Sequence, residues 1–193
     1  TSTAKYDLGY SWMKKENYKQ AMGNFEALAK SNTTATAVEQ DAYVRNADCY
    51  FMTKDFAKAG SMYDVVLNNA LPQSDYAMFQ KAMIAGIKSA AGKIAILNNL
   101  NRLYPQSSLV PDATMEVANT YMADEKFREA IPYLNKVLAA SNSGGLKPKA
   151  YLKLGLSYYN IDNNEQALTN YQQLVQQFPQ SAEANEALDN IKN

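Results

Sequence analysis

The side chains that most often carry catalysis are scarce in this chain, and where they occur nothing around them activates them. None of the 193 residues is a histidine, which removes the commonest general base and the commonest transition-metal ligand. A serine or cysteine triad that depends on histidine is excluded with it. The single cysteine, Cys49, stands beside Tyr50 in a helical pattern, with no basic or dipolar neighbour in the sequence to lower its pKa. It reads as a small buried hydrophobe, and one thiol rules out an internal disulfide framework. Asp124-Glu125 is a carboxylate pair, the raw material of acid–base chemistry, but it lies in a polar turn. There it reads as solvated charge favourable to the dipole of the next helix. Gly144-Gly145 is isolated and runs into Leu146-Lys147-Pro148, a helix connection rather than a phosphate cradle. Asn32-Thr33-Thr34 fits a glycosylation pattern and reads as a loop coincidence. The expectation is a non-enzyme without catalytic residues, metal or cofactor.

The elements that would position any functional surface are written as a repeat. A small residue recurs at Gly9, Ala47, Ala82, Ala118 and Gly155, at spacings of 38, 35, 36 and 37. A second small residue follows 12 later in four units, at Ala21, Ala59, Ala130 and Ala167, with a large apolar residue 4 further on at Phe25, Tyr63, Leu134 and Tyr171. Spacings of 3 and 4 mark one face of an α-helix. Short polar stretches such as Lys14-Lys15-Glu16-Asn17 and Asp162-Asn163-Asn164 separate two helical halves, so each unit is a helix hairpin. The third unit departs: Lys93 replaces the second small residue, 11 after Ala82, which makes that turn one residue short. Leu8 and Trp12, Tyr50, Val117 and Tyr121, and Leu154 and Tyr158 flank the small residues and are expected to form the core within each hairpin.

This pattern resembles the tetratricopeptide repeat (TPR) family, whose unit is a helix–turn–helix of ~34 residues with small residues where the helices cross. The resemblance runs from about Lys5 to Pro179, with the extra residues in loops such as Ser31–Thr36 and Ser141–Gly145. It implies an all-α fold, a right-handed α-solenoid of five TPR-like helix hairpins plus a C-terminal capping helix. The units are placed at 2–30, 36–69, 74–104, 110–140 and 147–179, and the cap at 181–192 with Ser181 as its N-cap, all in one domain over 1–193. The chain begins Thr1-Ser2-Thr3 without methionine and reads as part of a longer chain.

Charge and hydropathy narrow the partners. Nineteen basic residues balance nineteen acidic ones without a run of five like charges, so the electrostatic footprint of nucleic acid or anionic lipid is missing. No stretch of ~18 apolar residues is present to span a membrane. Asp75–Ala82, Ala47–Phe51 and Phe178-Pro179-Gln180-Ser181 also resemble the wording of bacterial envelope TPR proteins, especially those of the Bacteroidota. That resemblance implies the periplasm or cell envelope; otherwise the chain would be cytoplasmic.

What remains is a surface. In the family, positions −3, +1 and +4 from the small residue line the concave face where ligands dock. Here they are Tyr6, Tyr10 and Met13; Val44, Asp48 and Phe51; Phe79, Met83 and Gly86; Met115, Asn119 and Met122; and Leu152, Leu156 and Tyr159. Only Asp48 and Asn119 are conventionally polar, and methionines and aromatics suit an adaptable binding groove. The same stripe would equally be core if successive first helices pack tightly. The family's basic clamp for a partner's C-terminal carboxylate has counterparts at Tyr6, Tyr10, Arg45, Tyr76 and Gln80, of which only Arg45 is suited. Three readings follow: a scaffold holding a peptide or partner protein in the groove, a carbohydrate or cell-wall binder stacking sugars on Tyr6, Tyr10, Tyr76 and Tyr159, or a structural spacer in a longer array.

Overall fold

Several helices begin in this chain where a short polar side chain takes up an orphan backbone N–H, and four first helices of the hairpins end where one residue turns left-handed. The computed structural model describes residues 1–29 and 36–192; most of the Ser31–Thr36 loop, with the Asn32 pattern, lies outside the described residues. Within them run α1 (Ser2–Lys14), α2 (Tyr18–Glu26), α3 (Ala37–Met52), α4 (Phe56–Asn68), α5 (Ser74–Gly86), α6 (Ala90–Leu103), α7 (Val110–Ala123), α8 (Phe127–Ala139), α9 (Lys147–Tyr159), α10 (Asn164–Gln177) and α11 (Ala182–Lys192). Asn17, Asp55 and Asn163 cap α2, α4 and α10 by accepting from the N–H groups of Gln20, Lys58 and Gln166. Thr36 and Glu39 form a reciprocal capping box at α3. Ser181 Oγ accepts from Ala184 N–H at 3.1 Å, the cap expected for the last helix.

The turn inside each hairpin is a fixed device. Glu16, Lys54, Glu125 and Asp162 adopt positive φ of 56°, 65°, 57° and 60°, and each stands seven residues after its small residue. The next N–H then reaches back to close the helix end: Asn17 to Trp12 O, Asp55 to Tyr50 O, Lys126 to Tyr121 O and Asn163 to Tyr158 O, all at 2.9 Å. In the third unit the seventh residue is Ser89, with an extended backbone at φ −152°, and it caps α6 directly. The shortened turn inferred from the 11-residue spacing is therefore present. Lys93, four residues after that cap, holds the place that Ala21, Ala59, Ala130 and Ala167 hold after theirs.

By their contacts the residues group into two compact units, Thr1–Lys88 and Ser89 onward. The boundary falls inside the third repeat. In the first unit α1 packs on α2, α2 on α3, α3 on α4 and α4 on α5; in the second, contact runs in the same order from α6 to α11. The small residues do what close helix crossing requires. A methyl group on Gly9 would come within 2.7 Å of the Phe25 ring, and one on Gly155 would drive into the Tyr171 ring. Ala47 with Tyr63, and Ala118 with Leu134, occupy the same register in the cores of their units.

A second alanine, five residues before the first small one, went unread in the sequence. Ala42, Ala77, Ala113 and Ala150 are all fully buried, each on a helix that packs against the second helix of the preceding repeat. One expectation fails: Leu8, assigned to a hairpin core, is 47% exposed. Its position corresponds to that of Val117 and Leu154, which are buried, Leu154 in one cluster with Ala130, Leu134 and Val137 of the preceding repeat. No helix of the described residues is long and apolar enough to cross a membrane.

Candidate partner-binding face

The first-helix stripe sorts by register. At −3, Val44, Met115 and Leu152 are buried, so these positions are core, whereas Tyr6 and Phe79 are half-buried. At +1, Asp48 is buried, and Tyr10, Met83, Asn119 and Leu156 are half-buried. At +4, Met13, Phe51, Gly86 and Met122 are half-buried and Tyr159 is 63% exposed. Val44, Met115 and Leu152 therefore face inward, because three residues before the small position a side chain points between neighbouring helices. Asp48 faces inward as well, held by Arg45, Tyr63 and Tyr76. The outer half of the stripe is where a partner could touch.

In the first unit this face is organised by a polar network that the sequence did not reveal. Tyr6 and Tyr10 both donate from their hydroxyls to Asp41 Oδ2 at 2.6 Å, and Gln73 Nε2 donates to Asp41 Oδ1 at 2.6 Å. Arg45 donates to Asp48 Oδ2 and to Gln73 Oε1, each at 2.5 Å. Its Nε lies 3.5 Å from Asp41 Oδ1, an ion-pair distance without hydrogen-bond geometry. Tyr63 and Tyr76 donate to Asp48 Oδ1 at 2.5 and 3.0 Å, and Gln80 donates to the Tyr76 hydroxyl at 2.7 Å. The Arg45 guanidinium also lies over the Tyr76 ring at 5.0 Å. Gln73 holds its place at a backbone cost, with φ of 67° for a non-glycine residue.

The electrostatics follow. Burial alone would raise the Asp41 carboxyl, but the bonds from Tyr10, Tyr6 and Gln73 and the Arg45 charge outweigh it and hold the group below its ordinary value. Asp48 is more deeply buried, and there burial prevails over Arg45 and the two tyrosines, so its carboxyl is raised. Burial, with the Asp48 charge behind it, pushes the Tyr76 phenol up to about 12. The Cys49 thiol is likewise pushed up to about 12, by burial first and Asp48 second, the reverse of an activated nucleophile. Arg45 is thus committed to internal carboxylates and cannot serve as a basic clamp. Of the four tyrosines considered as sugar platforms, Tyr6 and Tyr10 pack edge-on to each other at 5.0 Å and to Phe25 at 6.3 and 5.5 Å. Tyr76 lies under Arg45, and Tyr159 alone of the four presents most of its surface to solvent.

In the second unit the polar anchor is simpler. Lys93 Nζ reaches Glu116 Oε1 at 2.5 Å, and Asn119 Nδ2 donates to Glu116 Oε2 at 3.1 Å. The lysine that replaces the repeat's small residue is therefore paired with a carboxylate on the neighbouring helix α7. Burial opposes the Glu116 charge, yet Lys93 and Asn119 hold its carboxyl below the usual 4.5. Beyond it, Met122 packs at the edge of the core and Leu156 and Tyr159 continue the face along α9.

The comparisons with known proteins agree with this anatomy. Tetratricopeptide repeat models match residues 6–75 and 149–181. Among solved structures, MamA (residue 41 to the end) from Desulfovibrio magneticus RS-1 is similar with a TM-score of 0.67 at 14% identity, over 91% of this chain and 93% of that one. A thermophilic TPR protein of Thermus thermophilus is similar with a TM-score of 0.60 at 15% identity, over 97% and 99%. At such identities the likeness is one of fold. Repeat matches near both ends and one hairpin turn recurring in four units place the chain in the tetratricopeptide repeat family, an all-α, α-solenoid family whose repeats generally mediate protein–protein interaction and are typically non-catalytic.

Proposed function

We propose that this protein is a non-catalytic scaffold that holds peptide segments of a partner protein against the first-helix faces of its two units, each taken by itself. The observation that carries the reading is the outer half of the stripe: Phe79 and Met83 in the first unit, and Met122, Leu156 and Tyr159 in the second, stay partly or largely exposed although apolar. Apolar side chains held at a fixed register by repeated helices supply contact area without ordering cost. The polar groups nearby are mostly bonded to one another, so selectivity rests on shape and on apolar anchors more than on ion pairing.

The test is affinity capture from a bacterial envelope extract, the compartment that the family resemblance implies. Wild type is compared with Phe79→Asp plus Met122→Asp, with circular dichroism to verify folding. A protein captured by wild type and lost by the still-helical double variant supports the face as the site. Loss of helicity returns both residues to the core, and equal capture moves the site to the opposite surface.

A further inference from the structure

The hairpin turns of the first unit share one edge, and that edge is basic. An open recess of about 440 Å³, lined by Lys15, Glu16, Asn17, Tyr18, Lys19 and Thr53, joins the α1–α2 turn to the end of α3. Gly60, near the start of α4, faces Ile84, near the end of α5: a Cβ on it would stand 3.9 Å from the Ile84 side chain. So α5 ends where α4 begins, and the ends of α1, α3 and α5 lie along the same edge. Counted from the small residues, positions +5 to +10 place Lys14, Lys15, Lys19, Lys54 and Lys88 there. Five lysines against two carboxylates, Glu16 and Asp55, leave a net charge of +3 within Thr1–Lys88. The same positions of the second unit carry Lys126 and Arg128 against Asp124, Glu125, Asp162 and Glu165, a net of −2, so the turn itself has no need of lysine. The balance of charge over the whole chain conceals this segregation.

All five lysines are exposed, and among the described residues none of them is ion-paired with a carboxylate. Lys58, one position further on, is left out of the count because its Nζ turns back to the Tyr50 hydroxyl at 2.6 Å. Apolar side chains stand among the lysines. Met52 and Ile87, both at +5, are 49% and 57% exposed. Trp12 is half-buried beneath Lys15, whose Nζ lies 5.3 Å from the ring centre. Unpaired lysines attract any polyanion, but a polyanion in solution would leave Met52 and Ile87 in water. A surface that carries phosphate outside and hydrocarbon just below satisfies both.

We propose that the turn edge of the first unit rests on an anionic lipid surface. The five lysines lie toward the phosphate groups and Met52 and Ile87 enter the headgroup–acyl boundary, with no segment crossing the bilayer. Neither signal is strong alone; a basic cluster and a few apolar side chains together give reversible adsorption that weakens as salt screens the charge.

Trp12 is the single tryptophan of the chain and stands at this edge, so its emission reports the contact. The experiment titrates the full chain with vesicles of phosphatidylcholine alone and of phosphatidylcholine mixed equally with phosphatidylglycerol, with co-sedimentation as a second readout of affinity. The expected result is a saturable blue shift with the anionic vesicles only. Affinity should fall at least about tenfold between ~0.1 M and ~0.5 M salt, and as much in Lys14→Glu plus Lys54→Glu. Met52→Asn plus Ile87→Asn should weaken it about fivefold or more while keeping the salt dependence. Circular dichroism verifies that both variants, all at exposed positions, stay helical. No binding to anionic vesicles, equal binding to phosphatidylcholine alone, or affinity unmoved by either variant overturns the proposal. Heparin that binds as tightly and shifts Trp12 equally also overturns it, and would make the edge a site for soluble polyanions.

Discussion

Two glycines in this chain are defined by the rings they face. Gly9 and Gly155 let Phe25 and Tyr171 lie on the helix backbone, whereas Ala118 leaves room for the smaller Leu134. Gly155→Ala is expected to destabilise by about 1–2 kcal/mol, since overpacking of ~1–3 kcal/mol exceeds the ~1 kcal/mol that alanine returns in helix propensity. Tyr171→Leu in that background should recover much of the loss although Tyr171→Leu alone is destabilising. A double-mutant cycle in urea would show favourable coupling above about 0.5 kcal/mol; additive effects would mean that the ring and the glycine do not constrain each other. The requirement for a small residue was legible from spacing alone. Why two units take glycine and three take alanine was not, because that depends on how far the side chain 16 residues later leans in. The Arg45 network was hidden for a similar reason: Asp41 and Gln73 carry no mark in the sequence of sharing a partner, and they meet through packing of three helices.

At the level of the helices, the hairpin turns spend backbone energy. Four non-glycine residues take the left-handed conformation, at roughly 1–2 kcal/mol each, against about 0.5–1 kcal/mol that glycine loses in extra unfolded-state freedom. Glu125→Gly, at an exposed position, is expected to raise the urea midpoint by the equivalent of up to about 1 kcal/mol; a lower midpoint would show that the Glu125 side chain contributes to the turn. The Lys93–Glu116 pair gives a pH-dependent prediction. Because the folded-state pKa of Glu116 is depressed, its stabilisation is present above the usual 4.5 and is lost as pH falls through the folded value. Glu116→Gln should therefore cost about 1 kcal/mol or less at pH 7 and progressively less at an acid pH, as the pH falls through the folded value. Equal costs at both pH values, measured by denaturant midpoints, would assign the effect to packing rather than charge. Lys93 itself was legible as an anomaly; its partner, 23 residues away on α7, was not.

For the molecule as a whole, each unit carries its own apolar clusters, around Phe25 and Tyr63 in the first and around Leu134 and Leu174 in the second. Repeat proteins distribute stability through nearest-neighbour contacts rather than through one centre. Gly155→Ala is accordingly expected to raise amide exchange in α9, α10 and α11 and leave Thr1–Lys88 as protected as before. A uniform rise across the chain, seen by exchange mass spectrometry, would reveal a single cooperative unit instead. The overall class was readable because a period of 35 to 38 residues survives local irregularity. The candidate face was half readable: register marked the stripe, and only packing separated the inward −3 positions from the outward +4 ones.

The hairpin turn also behaves like a reading frame. Connections between repeats differ freely, with seven residues between α8 and α9 and four between α10 and α11, but the left-handed residue falls at the same seventh place in four units. One residue added between Ala123 and Phe127 would rotate α8 by about 100° about its axis, carrying Ala130 and Leu134 off the crossing and exposed residues into it. The same residue added at Asn142 only lengthens a link. Grafts, tags and inserted epitopes belong between the repeats of this protein, and a single-residue slip within a hairpin would scramble every contact downstream in that unit while leaving its composition untouched.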